Sequence, residues 1–206
     1  MPAAGPRDGA KGDGQVAETQ LLLVRHAPAL HGGRLCGRRD VPADTTETPA
    51  TAALRARLAA MPPDLMLVSP ARRCLWTACM LPMADHALHT DPRLIEQDFG
   101  AWEGTPFADL PDLGPLPAQE LADHRPPDGE SFSDMAARTR PVFESARGRV
   151  AIIAHAGTVR AALALAVGPA AALGFAVAPL SLTVMTRHGT RWRIDSVDEG
   201  GVKPSP

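Results

Sequence analysis

Three stretches of the chain place reactive side chains directly after short apolar runs. Leu21-Leu22-Leu23-Val24 leads into Arg25 and His26, Leu65 to Val68 leads into Ser69 and then Arg73, and Val150-Ala151-Ile152-Ile153 leads into Ala154, His155, Ala156 and Gly157. A neutral imidazole is a nucleophile or an acid–base group near neutral pH. The planar fork of an arginine binds oxyanions through paired N–H groups. A helix opening just after His155 would add free backbone N–H groups and the positive end of its dipole. Two histidines, two arginines and a helix start at one edge would suit a dianion, for which phosphate is the natural ligand.

Positioning such groups together requires that the apolar runs be neighbouring strands. Each is a buried, parallel-type strand ending in a polar loop, and in open α/β sheets ligands bind beyond the carboxyl ends of the strands. Helices alternate with them. Thr48-Pro49 reads as N-cap and first helical residue, with Leu54, Leu58 and Met61 on one face, and Ser69-Pro70 repeats that signature. Ser131 and Asp134 are spaced as a capping box for a helix to Ala146, which Pro141 is expected to kink or interrupt. Residues 104–130, rich in Pro, Asp and Gly, read as an irregular excursion that caps the pocket and selects the substrate. Leu182 to Thr186 and Trp192 to Ser196 are expected to close the sheet as a strand pair. The pattern predicts an α/β sandwich with a mostly parallel sheet in one domain, 19–197, between a disordered tail at 1–18 and a flexible tail at 198–206.

Composition excludes other classes. A net charge of −2 carries no footprint for nucleic acid or anionic lipid. Lys11 and Lys203 are the only lysines; all other Lys/Arg positions are arginine, a bias that a genomic preference for Arg and Ala explains. Between Ala161 and Met185 there is no charged residue, but Gly168-Pro169 and Pro179 divide the stretch into helix, short helix and strand rather than one membrane span. The three cysteines, Cys36, Cys74 and Cys79, lack metal-ligand spacing and fit a reducing, cytoplasmic compartment, and the N-terminus lacks the apolar core of a secretory signal. Oligomeric state is not readable.

Four ordered stretches resemble the histidine phosphatase superfamily, which includes the phosphoglycerate mutases. Leu22 to Ala27 is similar to that family's strand-plus-RHG motif, and Ser69 to Ala78 to its SPLxRAxxTA helix, placing Arg73 at the phosphate-binding arginine. Leu94 to Gly104 matches LxExxFGxWEG, and Ile153 to Arg160 resembles SHGGxxR. The resemblance implies a three-layer α/β/α sandwich and a phosphomonoesterase that uses a phosphohistidine intermediate with no metal or cofactor. His26 would be the nucleophile. Arg25, Arg73 and His155, with Ala156 and Gly157, would surround the phosphate, and Glu96 would be the general acid and then base. The departures are Ala27 for the motif's glycine, Ala29 and Gly32 for its Thr and Asn, and Ala154 for its serine. Ala27 would ask for a roomier loop or a different backbone angle.

Leu35 to Pro42 is similar to the YGRxDvP stretch of the alpha-ribazole phosphatase branch, and Pro127 to Phe132 to its GGESF segment. The resemblance therefore implies alpha-ribazole 5′-phosphate as substrate, in cobalamin biosynthesis. A mutase fits less well, because the chain is short for that branch and the RHGxSxWN context is absent. The lost polar residues favour an alternative: a broad-specificity or phosphohistidine-protein phosphatase, or a non-catalytic phosphate binder. Arg38 serves either the substrate or a loop salt bridge with Asp40. Glu130 is a second contender for acid or substrate contact, and Glu103 reads as a structural hydrogen-bond partner. Phe99 and Trp102 read as packing beneath the site. His31, His86, His89, His124 and His188 read as surface or loop residues, with His86 and His89 spaced like a metal pair that lacks a third ligand.

Overall fold

The computed structural model describes residues 18–81 and 88–202. Six strands form one sheet in the order β3-β2-β4-β1-β5-β6. They are β1 (Thr19–Arg25), β2 (Leu65–Val68), β3 (His89–Thr90), β4 (Arg149–Ala154), β5 (Leu182–His188) and β6 (Arg191–Glu199). β1 pairs in parallel with β4, β4 with β2, and β2 with β3, whereas β5 runs antiparallel to both β1 and β6. The three reactive strand ends therefore belong to adjacent strands. Arg25 pairs with Ala154, and Val68 with Ile153. The ladder runs one residue further on each side, where His26 N–H donates to Ala154 C=O (2.8 Å) and Ser69 N–H to Ile153 C=O (3.0 Å).

The period of two along the central strands sends alternate side chains to two cores. Leu21, Leu23, Val150 and Ile152 pack with residues of α4 (Phe132–Ser145), α5 (Ala156–Val167) and α6 (Pro169–Ala172). Leu22, Val24, Met66, Val68, Ala151 and Ile153 pack with α1 (Pro49–Ala60) and α2 (Arg72–Cys79) on the other face. This is the expected three-layer sandwich. A further short helix, α3 (Ala118–Asp123), lies within the 104–130 excursion.

Local signals decide the helix starts. Thr48 caps α1 by accepting from Thr51 N–H, with Pro49 in the first turn. Ser131 and Asp134 exchange both hydrogen bonds of a capping box at α4. Pro141 does not break α4, which runs unbroken over 14 residues. Ser69 does not cap α2: that helix starts at Arg72 with no side-chain cap on it. The serine hydroxyl is engaged instead with His155 Nε2 at 2.8 Å, a use that a capping signature cannot distinguish.

The closing hairpin is longer than its apolar residues suggest. β6 alternates exposed and half-buried residues as an edge strand, so its polar residues hide its extent. It runs to Glu199, and Asp198 accepts from Ala178 N–H, so ordered structure continues past residue 197. The expected tail residues 1–17 and 203–206, and His86 of the histidine pair, lie outside the described residues. The uncharged stretch from Ala161 becomes α5, α6 and β5, and among the described residues no helix is long and apolar enough to cross a membrane.

Candidate active site

A cavity of about 240 Å³ opens above the carboxyl ends of β1 and β4, with Arg25, His26, Arg73, Glu96, Ala156 and Gly157 among its walls. His26 is 5% exposed. Its Nδ1 lies 2.6 Å from Ala27 C=O, and because a carbonyl can only accept, Nδ1 carries the proton and Nε2 the free lone pair. Burial pushes the His26 pKa down to about 3; the Ala27 bond opposes this, and the charges of Arg73 and Arg25 add to it. The imidazole is thus neutral across the physiological range.

Ala27 accommodates its methyl group without strain. It is fully buried, its backbone is not left-handed, and its N–H donates to Thr77 Oγ1 at 2.9 Å. The left-handed residues fall later, at Gly32 (φ +59°) and Gly33 (φ +73°), which turn the loop back toward the cavity.

Arg73 is 1% exposed and spends every guanidinium nitrogen on protein acceptors. Nε donates to His155 Nδ1 (3.2 Å), Nη1 to Arg39 C=O (3.0 Å) and Nη2 to Gly37 C=O (2.7 Å). Arg25 is freer: Nη1 donates to Val177 C=O at 2.6 Å, while Nε is buried without a partner among the described residues. Burial lowers the Arg25 pKa, the Glu96 carboxylate opposes that, and Arg160 lowers it further. A cation held at such a cost in a cavity is poised to gain from an anion.

His155 departs from expectation. It is 0% exposed and does not line the cavity, because Ser69 Oγ and Arg73 Nε occupy both ring nitrogens. Its ring meets His26 edge-to-face, with centroids 5.2 Å apart. Accepting from Arg73 at Nδ1 leaves Nε2–H to donate to Ser69, and burial, with His26 and Arg73 adding to it, holds its pKa well below the ordinary histidine range. His155 thus braces the nucleophile and Arg73 from behind.

Glu96 is held by two backbone donors, Gln97 N–H at 2.9 Å and Gly157 N–H at 3.2 Å. A Cβ at position 157 would run into the Glu96 carboxylate and crowd Met135 Sδ, so the glycine lets the carboxylate sit against the start of α5. Gly157→Ala is expected to displace Glu96 and lower kcat by about 10²-fold, the low end of what a general acid contributes. Steady-state kinetics should show this with the inhibition constant of inorganic phosphate little changed.

Arg38 does not reach the cavity wall. Its guanidinium lies 3.2 Å from Glu130 and 3.9 Å from Asp98, and Asp40, the other expected partner, accepts from Arg72 N–H at 2.7 Å. Glu130 is taken up as well. Burial would raise its pKa, but hydrogen bonds from Arg138, Asp98 N–H and Arg38 outweigh that and leave it lowered, so it stays an anion. Glu103 accepts from the N–H groups of Gly37, Arg38, Arg39 and Phe99, as expected of a structural partner.

The cavity also gathers residues whose role the sequence concealed. His31, Arg34, Cys36, Phe99, Phe107 and Arg160 all line it. Arg34 arrives because the loop after His26 pairs with the excursion at Arg34–Pro106, and Arg34 Nη1 donates to Gly104 C=O at 2.8 Å. Arg160 follows Ala156 by four residues, one turn along the same face of α5, and that spacing was the available signal. Trp102 lies away from the cavity, stacked on His124 with centroids 5.5 Å apart. Burial raises the Cys36 and Cys74 thiol pKa values, the latter to about 12, so neither is a thiolate nucleophile.

A neutral buried imidazole among arginines, beyond the carboxyl ends of parallel strands, defines an α/β protein built around an anionic group. The chain belongs to the histidine phosphatase superfamily (branch 1), whose family model matches residues 21–200.

Among solved structures it is similar to a mycobacterial glucosyl-3-phosphoglycerate phosphatase, with 28% identity and a TM-score of 0.74 over 88% of this chain and 99% of that one. A putative alpha-ribazole-5′-P phosphatase from Escherichia coli shares the fold at 20% identity, with a TM-score of 0.75 over 91% of this chain and 99% of that one. A bifunctional protein of Mycobacterium tuberculosis is 46% identical over 66 residues, which is 31% of this chain but 16% of that protein's length.

Proposed function

We propose that the protein hydrolyses a phosphate monoester through a phosphohistidine at His26. The observation that carries this reading is the Nδ1 bond to Ala27 C=O, which leaves a neutral ring with its lone pair on Nε2 in a cavity walled by arginines. Nε2 attacks phosphorus, the N–P bond forms and the ester P–O bond breaks. The protonated Glu96 carboxyl gives its proton to the departing alkoxide. Glu96, now a carboxylate, takes a proton from water; the resulting nucleophile attacks phosphorus, releases phosphate and restores neutral His26. Arg25 supplies positive charge to the phosphoryl oxygens, while Arg73 and the start of α5 add to the field. His155 acts in this scheme through Arg73 and His26.

Alpha-ribazole 5′-phosphate is the proposed substrate. The segments Leu35 to Pro42 and Pro127 to Phe132 support it, and Leu35, Phe99, Phe107 and Phe132 give the cavity apolar walls suited to a planar base. One observation favours a second reading, an acidic sugar phosphate of the glucosyl-3-phosphoglycerate type. Arg34 and Arg160 bring extra positive charge to the cavity, each with one bond to a backbone carbonyl, and among the described residues neither has a carboxylate partner.

The deciding experiment assays purified protein on both esters and a wider panel of phosphomonoesters, with a chelator present. Alpha-ribazole 5′-phosphate is expected to give a kcat/KM at least about tenfold above the panel, as a fitted apolar contact of 1–3 kcal/mol provides. Preference for the acidic sugar phosphate would replace it with the second reading. Absence of turnover in folded, phosphate-binding protein would contradict hydrolysis.

A further inference from the structure

We propose that Arg138, on α4, is a positioning residue that holds the backbone around Glu96 so that its carboxyl stays against Gly157 at the cavity wall. This rests on the role assigned to Glu96 above.

Glu96 stands in a stretch without a strand partner, after the 3-10 turn Pro92–Leu94, so its backbone carbonyls need donor partners from elsewhere. Arg138 supplies them. Its Nη1 donates to Arg93 C=O (2.6 Å) and Ile95 C=O (3.1 Å), and its Nη2 to Glu96 C=O (3.4 Å).

The clamp is itself fixed. Glu130 takes the guanidinium at two points, Nε to Oε2 (3.1 Å) and Nη2 to Oε1 (2.5 Å). Such a forked pair sets direction as well as distance. Glu130 also ties the chain just past Glu96, since Asp98 N–H donates to its Oε1 at 3.0 Å and Gln97 Nε2 to its C=O at 2.9 Å. The backbone is thus held on both sides of residue 96, whereas among the described residues the Glu96 carboxylate has only the Gln97 and Gly157 N–H groups. Arg138 does not line the cavity, so its influence passes through the backbone.

The test uses leaving-group dependence. p-Nitrophenyl phosphate expels a stable phenolate that needs no proton, whereas glycerol 2-phosphate expels an alkoxide that does. Because kcat/KM reports the steps up to phosphoryl transfer, Arg138→Met should lower it on glycerol 2-phosphate at least about tenfold more than on p-nitrophenyl phosphate. Arg138→Lys, a point charge without the fork, should restore little of the difference. Glu130→Gln, which weakens the fork and keeps the side chain's size, should show the same selectivity and serves if Arg138→Met does not fold. Equal losses on both esters, or undiminished glycerol 2-phosphate turnover in a folded Arg138→Met protein, would overturn the proposal. Glu96→Gln is run alongside. If it shows no alkyl-selective loss, the role of Glu96 fails, and that failure is visible separately from any failure of Arg138.

Discussion

His26→Ala is expected to lower kcat/KM by at least about 10⁴-fold, on the scale seen when a covalent nucleophile is removed. Neither the second buried histidine nor the two shielded cysteines can take over. His155 has both ring nitrogens occupied by Ser69 and Arg73, and it is fully buried behind the cavity. The Cys36 and Cys74 thiols are held protonated by burial. Arg25 and the start of α5 remain, so the variant should still bind inorganic phosphate while failing to turn esters over. Kinetics on the preferred ester, with phosphate binding by calorimetry, separate these two properties. Residual activity above about one part in a hundred would show that another nucleophile operates.

Arg73→Met carries the second large effect, on stability and catalysis together. The side chain is almost completely buried and donates to three acceptors: His155 Nδ1, Arg39 C=O and Gly37 C=O. Removing it leaves those acceptors unpaired at roughly 1–3 kcal/mol each, so the variant should lose on the order of 3–5 kcal/mol of stability. Loss of its charge from the cavity wall, and of the support it gives His155, should lower kcat/KM by about 10²- to 10³-fold. Chemical denaturation and kinetics below the unfolding midpoint measure the two separately. A variant as stable as the parent would show that the three bonds contribute nothing to the fold, against what the burial of Arg73 requires.

The central strands are legible in the sequence because each is short, apolar and closed by a polar residue, and their adjacency follows from the topology of α/β folds. The convergence of Arg25, His26, Arg73, Ala156 and Gly157 is therefore readable from residue order, whereas Glu96 is reached only through the resemblance of its stretch to the family motif. What is not readable depends on side-chain direction. His155 follows β4 as expected, but its ring turns away from the cavity because Ser69 and Arg73 offer it two hydrogen bonds there. Ser69 has the same sequence signature whether it caps a helix or orients a histidine.

Arg34 and His31 reach the cavity on loop chain and Phe107 on a single 3-10 turn, both too short for periodicity to predict facing. Arg38 and Arg34 lie four residues apart in one loop, yet one meets Glu130 and the other the cavity. The network of Arg138, Glu130 and Asp98 joins segments far apart in sequence, and nothing local announces it.

The most direct test of the phosphohistidine mechanism is to mix the enzyme with its preferred ester, quench within milliseconds into alkali, and look for covalent phosphate by mass spectrometry of the peptide carrying His26. Alkali preserves a phosphoramidate that acid would destroy. Phosphate is expected on His26, formed and consumed at rates that match turnover, stable to alkali and released by acid. Complete turnover with no labelled histidine at any time, or phosphate recovered on another residue, would contradict the mechanism.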